Sequence, residues 1–144
     1  MTIDTKEEKL RRKLNVSLDF IKKTRFVNLI KNINKIKVFD KNGYDTDVNV
    51  KTRVWYVQPK TIKYSSVEYL SSLFIHEAWH VEQEKKGLNP NGRTRTERGA
   101  YLKQRLFLEL YGEQYEVDWL DKEYKRKWWL DKKRVLPKFK TLSG

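Results

Sequence analysis

Residues 73–83 constrain the fold more tightly than any other stretch, and their centre reads His76-Glu77-Ala78-Trp79-His80. Around it Val67, Leu70, Phe74, Ala78 and Val81 fall on one helical face, and Leu73, Ile75 and Trp79 widen that face to nearly all sides. A helix apolar on every side belongs in the interior of a domain. This one also carries two imidazoles and a carboxylate, and buried polar groups need partners. Residues four apart share a helix face, so His76 and His80 can offer nitrogens to one ion while Glu77 stands beside it. Zinc takes such ligands in a tetrahedron that keeps one place for water, and a neighbouring carboxylate can accept that water's proton. The chain has only these two histidines. The plain alternative leaves them as helix-face histidines without a metal.

The ends of this helix are marked. Ser65-Ser66-Val67-Glu68 fits a capping box, Lys85 and Lys86 favour the negative end of the dipole, and Gly87 supplies a left-handed stop. Asn89-Pro90-Asn91-Gly92 then reads as a tight loop.

The absence of cysteine from all 144 residues excludes disulfides, zinc fingers and thiol nucleophiles, so any metal must rest on histidine and carboxylate. The length suits one domain with a single core. With 32 Lys and Arg against 19 Asp and Glu, the net charge of +13 attracts anionic partners without naming them. The N-terminus shows no signal-peptide pattern and no apolar run approaches the roughly 20 residues of a spanning helix. A soluble chain is expected, cytoplasmic as written or delivered by a secretion system.

Thr5-Lys6-Glu7-Glu8 resembles a second capping box, followed by Leu10, Leu14, Leu18 and Ile21 at helical steps. Phe26, Val27, Ile30 and Ile33 continue the stripe, with a break possible near residue 16, so residues 1–34 are expected to be helical. From Lys35 the period becomes two: Ile36 and Val38, a reversal at Asn42-Gly43, then Val48, Val50 and residues 54–57. Residues 35–64 are therefore assigned to a sheet, with Ile62 and Tyr64 extending it and Pro59 forcing its strand to an edge or a bulge. An edge strand before the metal helix either protects the sheet or receives substrate as an added strand. Residues 65–112 hold the metal-site helices. Residues 113–144 form a last helix, with Val117, Leu120, Tyr124 and Trp128 as its stripe, a stop at Pro137 and a basic tail.

Two histidines leave a zinc site one protein ligand short. A carboxylate on the following helix is the remaining route, and Glu97 is the first on it. In Thr94-Arg95-Thr96-Glu97 the same glutamate also fits the last place of a capping box. Glu109, Glu113 and Asp118 stand in reserve.

Over residues 54–112 the chain resembles the gluzincin division of zinc metallopeptidases, in its strand, its His-Glu-x-x-His helix and its Glu97-Arg98-Gly99-Ala100 step. It is most similar to small peptidase modules, including those found as toxin domains. The resemblance implies a small α+β zincin-like domain, with a short mixed or antiparallel sheet packed against the metal helix and helices at both ends. It also implies zinc held by His76, His80 and Glu97, with Glu77 as general base. Where larger members place an Asp to orient a histidine, this chain has Tyr101.

The expected function is zinc-dependent hydrolysis of a protein or peptide. Tyr64, Tyr69, Tyr101, Tyr111 and Tyr115 are candidates for stabilising the oxyanion. A basic effector or toxin domain of a bacterial or phage system, silenced by an acidic immunity protein, fits the composition, as does a peptidase that works on DNA. The rival expectation is a module that binds nucleic acid or an acidic protein, with a structural zinc or none.

Overall fold

A computed structural model describes the backbone of residues 1–40, 45–88 and 93–134, and their side chains except at 93–95 and 127–134. Four strands, β1 (Thr2–Asp4), β2 (Lys35–Val38), β3 (Thr46–Asn49) and β4 (Val54–Val57), form one sheet in the order β1-β2-β4-β3. β1, β2 and β4 run parallel, and β3 pairs antiparallel with β4 at the edge. Helices α1 (Glu8–Lys22), α2 (Pro59–Tyr64), α3 (Val67–Lys85), α4 (Arg93–Tyr111) and α5 (Gln114–Arg134) complete the fold, with a 3-10 turn at Val27–Asn32. The class is α+β with a mixed sheet, as expected.

One face of the sheet is lined by Ile36, Trp55 and Val57, all nearly inaccessible. They join Leu10, Leu14, Leu18 and Ile21 of α1 and Leu70, Phe74, Ala78 and Val81 of α3 in a single core. Trp55 meets Phe74 edge to face at 5.6 Å. A smaller cluster of Leu108, Val117 and Leu120 seats α5. Among the described residues no helix is long and apolar enough to cross a membrane.

Several local expectations need correction. The N-terminal region is not all helical: β1 precedes α1, and its three residues are too few to show a period. Thr5 does not cap α1 through Glu8; its Oγ1 accepts from the Glu7 N–H at 3.1 Å, outside the helix. α1 runs unbroken through residue 16, because Ser17 turns into the interior rather than competing for the backbone. Pro59 marks no edge strand. It opens α2, where the first helical position has no use for an N–H, so Ile62 and Tyr64 are helical and β4 is an inner strand. The edge beside β4 belongs to β3, and the opposite edge to β1. The cap of α3 is Ser66, not Ser65, and its Oγ accepts from the Tyr69 N–H at 3.0 Å. The Asn42-Gly43 turn, the loop at 89–92, the side chains of Trp128, Trp129 and Leu130, and the stop and tail from Pro137 lie outside the described residues.

Candidate metal centre

α3 stops as its sequence predicts. Gly87 adopts φ +71°, its N–H reaches the Glu84 carbonyl at 3.1 Å, and the Leu88 N–H reaches that of Gln83 at 2.9 Å. This paired closure ends the helix cleanly, and α4 then packs along α3. Because α4 begins at Arg93, Thr94 is already inside it, and Glu97 stands beyond the first turn. The capping role for Glu97 is thereby removed.

Instead Glu97 faces the histidines. Its Oε1 lies 2.7 Å from His80 Nε2 and its Oε2 3.5 Å from His76 Nε2. The two rings stand 5.0 Å apart between centroids, at 72° to one another. Glu77 Oε1 is 3.9 Å from His76 Nε2 and 4.0 Å from His80 Nε2. His76, Glu77 and His80 offer ligand atoms that all fall within 4.8 Å of one another. All four residues singled out from the sequence thus converge on one point.

Burial pushes the Glu77 carboxyl up, against the pull of His76 and His80, and the charges of Glu97 and Asp47 add to the rise. For His80, burial opposes the charged ring, but contact with Glu97 and the field of Glu77 outweigh it and hold the pKa at about 9. Burial works to raise Glu97 as well, yet the two histidines keep it well below the usual carboxylate range.

Does this set of donors fit a metal? The 2.7 Å approach of Glu97 to His80 is close enough for an ion pair but not aligned as a hydrogen bond, and His80 Nε2 is a buried polar atom without one. An ion pair accounts for the raised pKa; it does not give Nε2 a partner in line with the ring. Ligands at about 2.0–2.1 Å from a tetrahedral zinc stand about 3.3 Å from each other. The spacings from Glu97 to the two rings bracket that value. Two imidazoles and a carboxylate with a second carboxylate alongside therefore suit zinc in number and type, and the reach of Glu97 to both rings suits it in separation.

Neighbouring side chains brace the cluster. His76 Nδ1 lies 2.9 Å from Gln104 Oε1 and His80 Nδ1 3.0 Å from Gln83 Oε1. On the other side, Thr46 of β3 donates its hydroxyl to Glu77 Oε2 at 3.1 Å, and the Trp55 indole N–H donates to Thr46 Oγ1. Sequence reasoning missed these roles. Gln83 and Gln104 carried a visible signal, standing at helical spacing from His80 and Glu97, whereas Thr46 joins the site only through strand register.

The reserve carboxylates are engaged elsewhere: Glu109 pairs with Arg105 at 2.7 Å, Asp118 accepts from Gln114, and Glu113 sits in the α4–α5 turn. Of the five tyrosines, Tyr64 and Tyr115 are well exposed, and Tyr111 accepts from the Arg25 N–H. Tyr69 stacks on Trp119, and Tyr101 donates to Asp121. No family profile, curated protein or solved structure matches the chain, so the site is known by its own geometry alone.

Proposed function

We propose that the protein is a zinc-dependent metallopeptidase of the gluzincin type, holding its ion through His76, His80 and Glu97 and using Glu77 as general base. The observation that most supports this is His80 Nε2, a buried ring nitrogen without an aligned hydrogen bond, set 2.7 Å from one carboxylate and 4.0 Å from another. Bound zinc supplies Lewis acidity, lowering the pKa of water and polarising a carbonyl.

The rest falls to the chain. Glu77 Oε2 is occupied by Thr46, so Oε1, which faces both rings, is the oxygen free to take a proton from water and pass it to a leaving amine. Burial raises its affinity for that proton, which brings the base nearer to neutral operation. β3 carries Thr46 and lies at the sheet edge, so a peptide added along it would run beside Glu77.

The test compares the wild type with Glu77→Gln for bound zinc and for cleavage of a peptide library. Equal zinc in both, with turnover reduced about 10²- to 10⁴-fold in the variant, is expected. Zinc without cleavage by either protein would sink the peptidase reading. Chelation should abolish cleavage and leave the fold standing; collapse of the fold would mark a structural zinc and favour the binding-module alternative.

A further inference from the structure

Beyond the ligands, the hydrogen bonds around the two rings have a readable direction. Gln83 Nε2 donates to the backbone carbonyl of Thr96 at 2.9 Å. A carbonyl has no proton to give, so the NH2 end of Gln83 must face Thr96 and its Oε1 must face His80. That oxygen only accepts, which places the proton on His80 Nδ1. The second ring is wired through one more group. Ser72 donates its hydroxyl to the Tyr69 carbonyl at 2.6 Å, so its oxygen is left to accept from Gln104 Nε2 at 3.0 Å. While Ser72 donates to Tyr69, Gln104 Oε1 faces His76 and His76 Nδ1 carries hydrogen; this hydroxyl can reverse as the Thr96 carbonyl cannot, so His80 is the more firmly fixed of the two rings.

Both chains are buried, with Gln83 at 4%, Gln104 at 1% and Ser72 at 0% exposure, so no solvent competes for these bonds. One glycine makes room for them. A Cβ at Gly99 would stand 2.6 Å from Gln83 Nε2, so the amide would have to shift away from the partners that hold it at both ends, Thr96 and His80.

We propose that Gln83 and Gln104 are positioning residues of the metal centre, which lock His80 and His76 as Nδ1–H tautomers with both Nε2 atoms turned to zinc. Gly99 is kept without a side chain so that the Gln83 amide can fit. The proposal rests on the zinc reading above.

The two glutamines differ in a way that a purely structural role would not reproduce. Ser72 can rotate its hydroxyl toward a carboxylate at position 104, so Gln104→Glu keeps an acceptor on His76 and makes it a stronger one. The Thr96 carbonyl cannot reverse, so Gln83→Glu sets two acceptors against each other.

The experiment measures zinc affinity by chelator competition, with melting curves to check the fold, for the wild type and five variants. These are Gln83→Leu, Gln104→Leu, Gln83→Glu, Gln104→Glu and Gly99→Ala. Imidazole ¹⁵N spectra of the zinc-loaded wild type show two rings only. Both should show hydrogen on Nδ1 and metal on Nε2. The leucine variants, Gln83→Glu and Gly99→Ala should lose about 10- to 100-fold in affinity, while Gln104→Glu stays within about threefold of the wild type or binds more tightly.

A wild type that binds no zinc overturns the metal reading and this proposal together. A wild type that binds zinc while both leucine variants match it overturns this proposal alone, as does metal on Nδ1 of either ring. If the leucine variants do not fold, the near-isosteric glutamate pair decides: equal losses at 83 and 104 overturn the proposal, and the unequal result supports it.

Discussion

The two sides of α3 are built on opposite principles. One side puts Leu70, Phe74, Ala78 and Val81 into the main core, where shape and volume decide the contacts. The other side presents Ser72, His76, His80 and Gln83 to α4, where the contacts have direction and each donor must find its acceptor. The apolar side holds the helix still; the polar side uses that stillness to aim two nitrogens. Trp55 links the two, since its ring is buried against Phe74 while its indole N–H reaches Thr46.

The sharpest way to break this comparison is to damage the apolar side alone. Phe74 is 1% exposed, and Phe74→Ala should cost about 3–5 kcal/mol in denaturant unfolding. If the two sides are separable, zinc affinity of the folded protein should change little. A large loss of affinity alongside the stability would mean that the core sets the metal geometry directly.

Changing pH disturbs the polar side alone. In metal-stripped protein His80 has a pKa of about 9, so at neutral pH the ring is charged and zinc must displace its proton. Affinity should therefore rise about tenfold per pH unit between 7 and 9 and level off above, with a proton released on binding. The stability effect runs the other way. A histidine pKa raised from 6.5 stabilises the metal-free fold fully below 6.5 and loses that contribution as pH climbs through 9. Glu97, lowered from 4.5, contributes above 4.5 and loses its share in acid. The melting temperature of stripped protein, followed across this range, checks both signs.

A smaller effect is expected at the link. Thr46→Val keeps the shape and removes the hydroxyl that holds Glu77 Oε2, so turnover should fall about tenfold with zinc affinity and KM nearly unchanged. Thr46→Ser should restore it. If both variants behave alike, the threonine contributes packing rather than aim.

How much of this was legible beforehand divides along the same line. The apolar side of α3, its glycine stop and the His76-Glu77-His80 cluster could be read because helical period and short-range spacing determine them. Glu97 could be named because it is the first carboxylate after the loop. Thr46 could not, because its place beside Glu77 depends on β3 lying at the edge with Thr46 opposite Val57, a matter of register across chain segments. Pro59 misled for a related reason: a proline that cannot serve an inner strand can equally begin a helix, and only the path of the chain chooses. β1 escaped notice because parallel pairing with β2, rather than any pattern within Thr2–Asp4, makes it a strand.

The smallest expected effect is at the far end of α3, where the comparison predicts that a strong-looking contact matters least. Lys51 Nζ lies 2.5 Å from Glu84 Oε1, shorter than the contacts of Gln83 and Gln104 with the histidines, yet Lys51 is 79% exposed. Water solvates both partners when they separate, and holding a long side chain in one geometry costs entropy. Lys51→Ala should therefore change the unfolding free energy by less than about 0.5 kcal/mol and leave zinc affinity where it was. A cost above about 1 kcal/mol would show that the turn before β4 steadies the end of α3. The contrast between the sides of α3 would then have to include the surface as a third participant, because distance from solvent, and not bond length, is what separates the Gln83 contact from this one.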